Sequence, residues 1–248
     1  MERNESILDL LAMHRRMTTQ QLCDALFCSP SSLRRDLIHL EKTGSVRRVR
    51  GGAIFVAGSG FDYSSNFRES VNIAEKVCIA EIARDFLASG MSLFLDSSST
   101  VAQICPILDH LRNVTVVTNG ISTALRLNNC EHVETFITGG HLRKGNATLL
   151  GESAGDFAKN FKADLAIISC RGIDADGAFE ADIEQARIKQ HMLHNAQRTI
   201  LLVDSTKFGT HFFHKLCSFS ELHAVISDKQ PAASIEQTIE AQGCEMIY

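Results

Sequence analysis

The 248-residue chain is 44% hydrophobic and 22% charged, with only 3 Pro, which excludes wholesale disorder and fibrous repeats. Its length suits two domains of unequal size. The net charge of −4 is unevenly spread: residues 1–56 hold nine Lys/Arg against six Asp/Glu, leaving sixteen against twenty-three for the remainder. A basic N-terminal segment on an acidic protein points to a polyanion-binding module joined to something else. No apolar run approaches the roughly 20 residues of a membrane-spanning helix, and the polar start Met1-Glu2-Arg3-Asn4-Glu5 is not a signal peptide. The expectation is a cytoplasmic protein with no membrane partner. Eight Cys are scattered without a C-x-x-C pair and read as reduced, buried thiols. Cys23 and Cys28 have four residues between them and nothing to complete a zinc site. Neither metal nor cofactor is expected.

Ile7, Leu10, Leu11 and His14 recur at helical spacing and predict a first helix near residues 3–15. Thr18-x-x-Gln21 is a capping-box pattern opening a second helix, with Leu22, Ala25 and Leu26 on one face. Phe27-Cys28-Ser29 is a break; Ser29 is a suitable N-cap and Pro30 a suitable first helical residue. The third helix carries Leu33, Leu37 and Leu40 inward, and Gly44 stops it. Two short helices across a tight turn make a helix-turn-helix. Its second helix would present Ser31, Ser32, Arg34 and Arg35 to a DNA major groove, with Thr19 beside them. Residues 46–55 alternate and turn at Gly51-Gly52, as a hairpin wing does, setting Arg47, Arg48 and Arg50 along the backbone of operator DNA.

The small, polar residues 57–66 mark a linker. The expected boundaries are a DNA-binding domain over 1–57, a linker over 58–73 and a second domain over 74–248. Helices are expected at 74–88, 100–111, 121–127, 183–196 and 233–241. Strands are expected at 91–95, 114–117, 133–137, 165–169, 199–203 and 224–227. This alternation predicts an α/β domain with a mostly parallel sheet. Ligands bind beyond the carboxyl ends of such strands, where this sequence places polar groups. They are Asp96-Ser97-Ser98-Ser99-Thr100, Thr118-Asn119-Gly120, Thr138-Gly139-Gly140, Cys170-Arg171-Gly172 and Asp204-Ser205-Thr206-Lys207. Hydroxyls and helix-opening N–H groups suit an anion. Arg171 and Lys207 would neutralise it, and Asp96 and Asp204 would accept from sugar hydroxyls. The set reads as a site for a small phosphorylated polyol.

Two groups of motifs carry a resemblance. The first is Ser29-Pro30-Ser31-Ser32-Leu33-Arg34-Arg35-Asp36-Leu37, Leu40-Glu41-x-x-Gly44 and Arg50-Gly51-Gly52-Ala53. The second is Leu93 to Thr100, Thr115 to Asn119, Gly139-Gly140-x-x-Arg143, Gly172-Ile173-Asp174-x-x-Gly177 and Asp204 to Gly209. Together they resemble the DeoR family of bacterial transcriptional regulators along the whole chain. Asp36 is read as holding a neighbouring Arg or backbone group. The resemblance implies a winged helix-turn-helix followed by a domain similar to ribose-5-phosphate isomerase. It also implies a homo-oligomer (dimer or tetramer) and a phosphorylated sugar effector. By position, Lys76, Asp204 and Lys207 match family residues tied to inducer response, and Arg68 a second basic position; Arg143 and Lys189 join the effector set. The sequence departs from the family pattern at Ser98, in a glycine position, at Gly120, in a serine position, and at Gln185, where Glu is usual, with Glu184 beside it. The leading reading is a repressor of a sugar-catabolic operon, released by a phosphorylated sugar. Its rivals are a sugar-phosphate isomerase or deaminase, and a DNA-binding protein whose second domain only oligomerises.

Overall fold

The computed structural model describes residues 2–42, 45–56 and 65–248. Gly44 and the polar stretch 57–64 lie outside them. The chain divides into two compact units, Met1–Ser70 and Val71–Tyr248.

In the first unit α1 (Glu2–His14) leads into a short strand β1 (Arg16–Thr18), α2 (Thr19–Leu26) and α3 (Pro30–Lys42). A hairpin of β2 (Val46–Val49) and β3 (Gly52–Phe55) follows, then α4 (Ser65–Ser70). The Thr18 capping box with Gln21 is present, and the Ser32 N–H donates to Ser29 Oγ at the start of α3. Ile7, Leu11, Leu22, Leu33, Leu37, Leu40, Val46 and Ala53 share one core. His14 and Ala25, expected on inner faces, are exposed; Ala12 and Cys23 take those places. Strand β1, which three residues of sequence did not reveal, pairs antiparallel with β3. It also explains Gly52: a Cβ there would stand 2.2 Å from Met17 O. The hairpin therefore turns at Arg50-Gly51, with Gly51 at φ +80°, rather than at Gly51-Gly52.

The second unit holds, in chain order, α5 (Ile73–Ala83), β4 (Ser92–Leu95), α6 (Cys105–Leu108), β5 (Val114–Thr118), α7 (Ile121–Leu127) and β6 (Val133–Ile137). Next come the pair β7 (His141–Leu142) and β8 (Leu149–Leu150), α8 (Glu152–Lys159), β9 (Ala163–Ile168), β10 (Gly172–Asp174) and β11 (Gly177–Glu180). The unit closes with α9 (Ile183–His194), β12 (Ala196–Leu202), β13 (His214–Cys217), β14 (Ala224–Ile226), α10 (Ala233–Ala241) and β15 (Glu245–Ile247). Seven strands form one sheet in the order β15-β14-β12-β9-β4-β5-β6, and every pairing in it is parallel.

Both faces are buried, so the strands read as continuous apolar runs. Leu93, Leu95, Leu165, Ile167, Ile200 and Leu202 meet Ile79, Ile104 and Leu108 on one face. Phe94, Ala166, Ile168, Leu201 and Val203 meet Ala154, Ala158, Ile188, Met192 and Ile239 on the other. The helix expected over 100–111 is instead a 3-10 turn, Val101–Ile104, followed by the single turn of α6. Pro106 has no N–H to continue a helical ladder through that junction. From β4 the chain winds outward through β5 and β6, then returns to β9 on the other flank of β4. The switch point thus lies between the carboxyl ends of β4 and β9.

Candidate functional site

Each unit presents one candidate surface. In the first, Arg34 and Arg35 are exposed on α3, opposite the buried Leu33, Leu37 and Leu40. Ser31 and Ser32 stand at the first turn of the same helix, their hydroxyls within 3.0 and 3.2 Å of Ser29 Oγ. Asp36 accepts from Arg3 Nε of α1 at 2.6 Å, the holding role its place in the motif suggested. Arg47, Arg48 and Arg50 are all on or beside the hairpin and exposed. Arg48 is engaged: its N–H and its Nε donate to the Glu41 carboxylate at 2.9 and 2.6 Å, clamping the hairpin to α3. These bonds hold the Glu41 carboxyl below its ordinary range, the Arg48 N–H contributing most. Thr19 is half-buried at the start of α2.

In the second unit a buried charge cluster occupies the switch point. Lys189, on α9, is 3% exposed. Its Nζ lies 2.9 Å from Asp96 Oδ2 and 2.6 Å from Glu180 Oε1, and donates to Ser169 O at 2.8 Å. Burial opposes the ammonium charge, but Asp96 and Glu180 outweigh it and hold Lys189 above the ordinary lysine range. Asp96 also accepts from Ser98 N (2.8 Å), Ser98 Oγ (2.7 Å) and Ser169 N (3.0 Å). Three of these four donors meet Oδ2 and one meets Oδ1. Asp96 anchors the 97–100 loop in this structure. Ser98 is consumed in the same anchor.

The other side of that loop is tied to β5. Thr148 Oγ1 donates to Ser97 Oγ at 2.7 Å, and Asn119 Nδ2 donates to Thr148 Oγ1 at 3.0 Å and Leu149 O at 3.2 Å. The remaining Asn119 oxygen is buried and accepts no hydrogen bond, as is Gln185 Oε1, one helical turn before Lys189. Gly120 packs against the loop: a Cβ there would meet Ser97 Cα at 2.9 Å. Ser99 and Thr100 complete the loop, half-buried and buried. Gly139 and Gly140 both take positive φ after β6, and a Cβ on Gly140 would stand 2.4 Å from Leu150 O. Arg143 pairs with Asp182 at 2.8 Å, tying the β7–β8 pair to the N-cap of α9.

A third group follows β12. Asp204 is 2% exposed and accepts from Thr206 N at 3.1 Å, from Thr206 Oγ1, and from Asn72 Nδ2 at 3.4 Å. Lys207 Nζ stands 3.9 Å from Asp204 Oδ2. Lys76 is buried in α5, its Nζ donating to Val71 O at 2.7 Å. Cys170 connects the groups: burial, aided by Glu180, pushes its thiol up to about 12, and Lys189 and Lys207 pull it the other way. Arg171, buried, stacks its guanidinium 5.4 Å from the Phe212 ring centre. Arg68 lies in α4, within the first unit.

The sequence reading missed Glu180 as the partner of Lys189, and also Thr148, Ser169 and Asn72. Glu180 sits in a short antiparallel strand outside the main sheet, and Thr148 in a loop, so no strand-end rule marks either one.

Residues 3–58 match the model of the DeoR-like helix-turn-helix domain, and residues 71–229 that of the DeoR C terminal sensor domain. The chain belongs to the DeoR family. Among curated relatives of this DeoR-family chain is the HTH-type transcriptional repressor GlcR of Bacillus subtilis. It is 33% identical over 99% of this chain and 95% of its own. The Glycerol-3-phosphate regulon repressor of Escherichia coli is 29% identical over 96% of this chain and 94% of its own. Among solved structures, ribose 5-phosphate isomerase A of Methanocaldococcus jannaschii is 15% identical with a TM-score of 0.41. That match spans about half of each chain, 55% of either.

Proposed function

We propose that this DeoR-family chain is a transcriptional repressor of a sugar-catabolic operon, and that a phosphorylated sugar bound at the sheet switch point releases it from DNA. One observation carries the reading: a helix with exposed Arg34 and Arg35 shares a chain with a separate unit whose polar and cationic groups gather at a parallel sheet's switch point. The relatives named as repressors support the first half.

In the sensor unit Lys189 is already balanced by two carboxylates. Lys207 and Arg171 are the cations for the phosphate, with the 97–100 loop as its cradle. The unpaired oxygens of Asn119 and Gln185 await hydroxyl donors, which a sugar supplies. Lys76 holds the start of α5 beside Asn72 and Asp204. Binding follows from filling those acceptors, and release from preferring one of two states of the protein. The active repressor is a homo-oligomer, because one small winged unit offers few contacts and symmetric half-sites double them.

Two measurements test this. A duplex selected by the protein from a random-sequence pool should bind with a steep salt dependence. In a thermal-shift screen of sugar phosphates, a ligand at 100-fold its Kd should stabilise by about 2.7 kcal/mol and lower affinity for that duplex. Failure to select any duplex overturns the regulator reading. Stabilisation by no sugar phosphate favours a purely oligomerising second domain.

A further inference from the structure

Cys23 and Cys28 flank the turn of the helix-turn-helix. Cys23 lies in the last turn of α2 and is buried; Cys28 follows the turn and is half-buried. Between them Phe27 adopts φ +49° and is 97% exposed. The Cys28 N–H donates to Cys23 O at 3.1 Å, closing a helix end in which residues five apart come side by side. Cys28 packs against the same core that contains Cys23, which sets the two side chains next to one another at this helix end. Burial and the neighbouring Cys28 push the Cys23 thiol up. A half-exposed thiol next to a second thiol that can resolve it is the setting of oxidation-sensitive cysteines. Cys170, Cys217 and Cys244 also influence one another, but all three are buried in the sensor core.

We propose that Cys23 and Cys28 form a reversible disulfide on exposure to peroxide, and that this modification weakens DNA binding. The Cys28 sulfur attacks one peroxide oxygen; the S–O bond forms, the O–O bond breaks, and the leaving oxygen departs as water. The Cys23 sulfur then attacks the Cys28 sulfenic acid, forming the S–S bond and releasing a second water with the Cys23 proton. Two thiols are oxidised and one hydrogen peroxide is reduced to two waters. A thiol reductant reverses the step.

The consequence for DNA is geometric. Closure brings the two sulfurs to about 2.05 Å, nearer than any unbonded pair can stand, so the backbone on one side of the turn must shift. Cys28 directly precedes Ser29, the N-cap of α3, so the shift is delivered to the start of the helix that carries Ser31, Ser32, Arg34 and Arg35. Hydrogen bonds to base edges and phosphates weaken steeply with such displacement. The DNA half of the proposal rests on the DNA-binding reading above; the chemical half does not.

The test uses the full chain, treated with a small excess of hydrogen peroxide. Free thiols are counted before and after, and a non-reduced digest is mapped by mass spectrometry. Affinity is measured for a duplex selected by the reduced protein. The expected result is loss of two of the eight thiols, a Cys23–Cys28 linked peptide, and at least tenfold weaker binding that dithiothreitol restores. Cys28→Ser and, separately, Cys23→Ala should keep their affinity under peroxide. No linked peptide would overturn the proposal, as would equal peroxide sensitivity in Cys28→Ser, or a linked peptide with unchanged affinity. Failure to select any duplex would overturn the DNA-binding reading and the coupling drawn from it, while the digest still decides the chemistry.

Discussion

Replacing Lys189 with Met is the sharpest probe of the sensor unit. The substitution keeps most of the side-chain volume and deletes the ammonium that joins Asp96, Glu180 and Ser169 O. Asp96 and Glu180, both buried, lose the ammonium they share. Removing one partner of a buried ion pair costs about 3–5 kcal/mol. For a unit of this size each kcal/mol shifts the melting temperature by about 2–4 °C, so a fall of about 6–20 °C is expected.

The pH dependence has a definite sign. In the wild type Lys189 is held above its unfolded value. Its contribution is fully present below about pH 10.4 and is lost only as pH rises through the higher folded value. It is therefore constant between pH 5 and 8. The chain has no Trp, so the melt is followed by far-UV circular dichroism. Adding Glu180→Gln should recover part of the loss. A fall below about 3 °C would refute the argument.

Arg35→Ala should weaken binding to the selected duplex by about 1–3 kcal/mol per half-site with an unchanged sensor melt; wild-type affinity in a gel-shift titration would place the reading face elsewhere. Lys207→Ala should keep DNA affinity and lose about 10- to 150-fold in effector affinity, the value of one charge-assisted contact of about 1.5–3 kcal/mol; unchanged calorimetry would make it an ordinary loop lysine. Phe27→Gly should stabilise the first unit by about 1 kcal/mol, since a left-handed bulky residue costs roughly 1–2 kcal/mol and glycine's unfolded-state freedom returns part of that. Denaturant midpoints read the change, and a loss of stability would mean that the ring makes contacts. Gly52→Ala should destabilise the same unit by about 1–3 kcal/mol through the clash with Met17 O; a neutral midpoint would show β1 free to move.

The sequence alone determined the elements whose signals are local. The Thr18 capping box, the Ser29-Pro30 start of α3 and its Leu33–Leu37–Leu40 face are set by hydrogen bonds and periodicity within a few residues, and all appear in the structure. The strands of the parallel sheet were legible because both faces are buried, so each reads as an apolar run. Their polar ends were legible because those ends leave the core together.

What only the tertiary structure decided is which polar groups meet. Lys189, Asp96 and Glu180 come from a helix, a strand end and a strand of a different sheet, and nothing in their spacing links them. Their pairing makes Asp96 the anchor of the 97–100 loop. Strand β1 and the reason for Gly52 were invisible for the same cause, since a three-residue strand has no periodicity and exists through its bonds to β3. The meeting of Cys23 with Cys28 lies between these cases: five residues is a local distance, but only the left-handed turn at Phe27 brings the two thiols together.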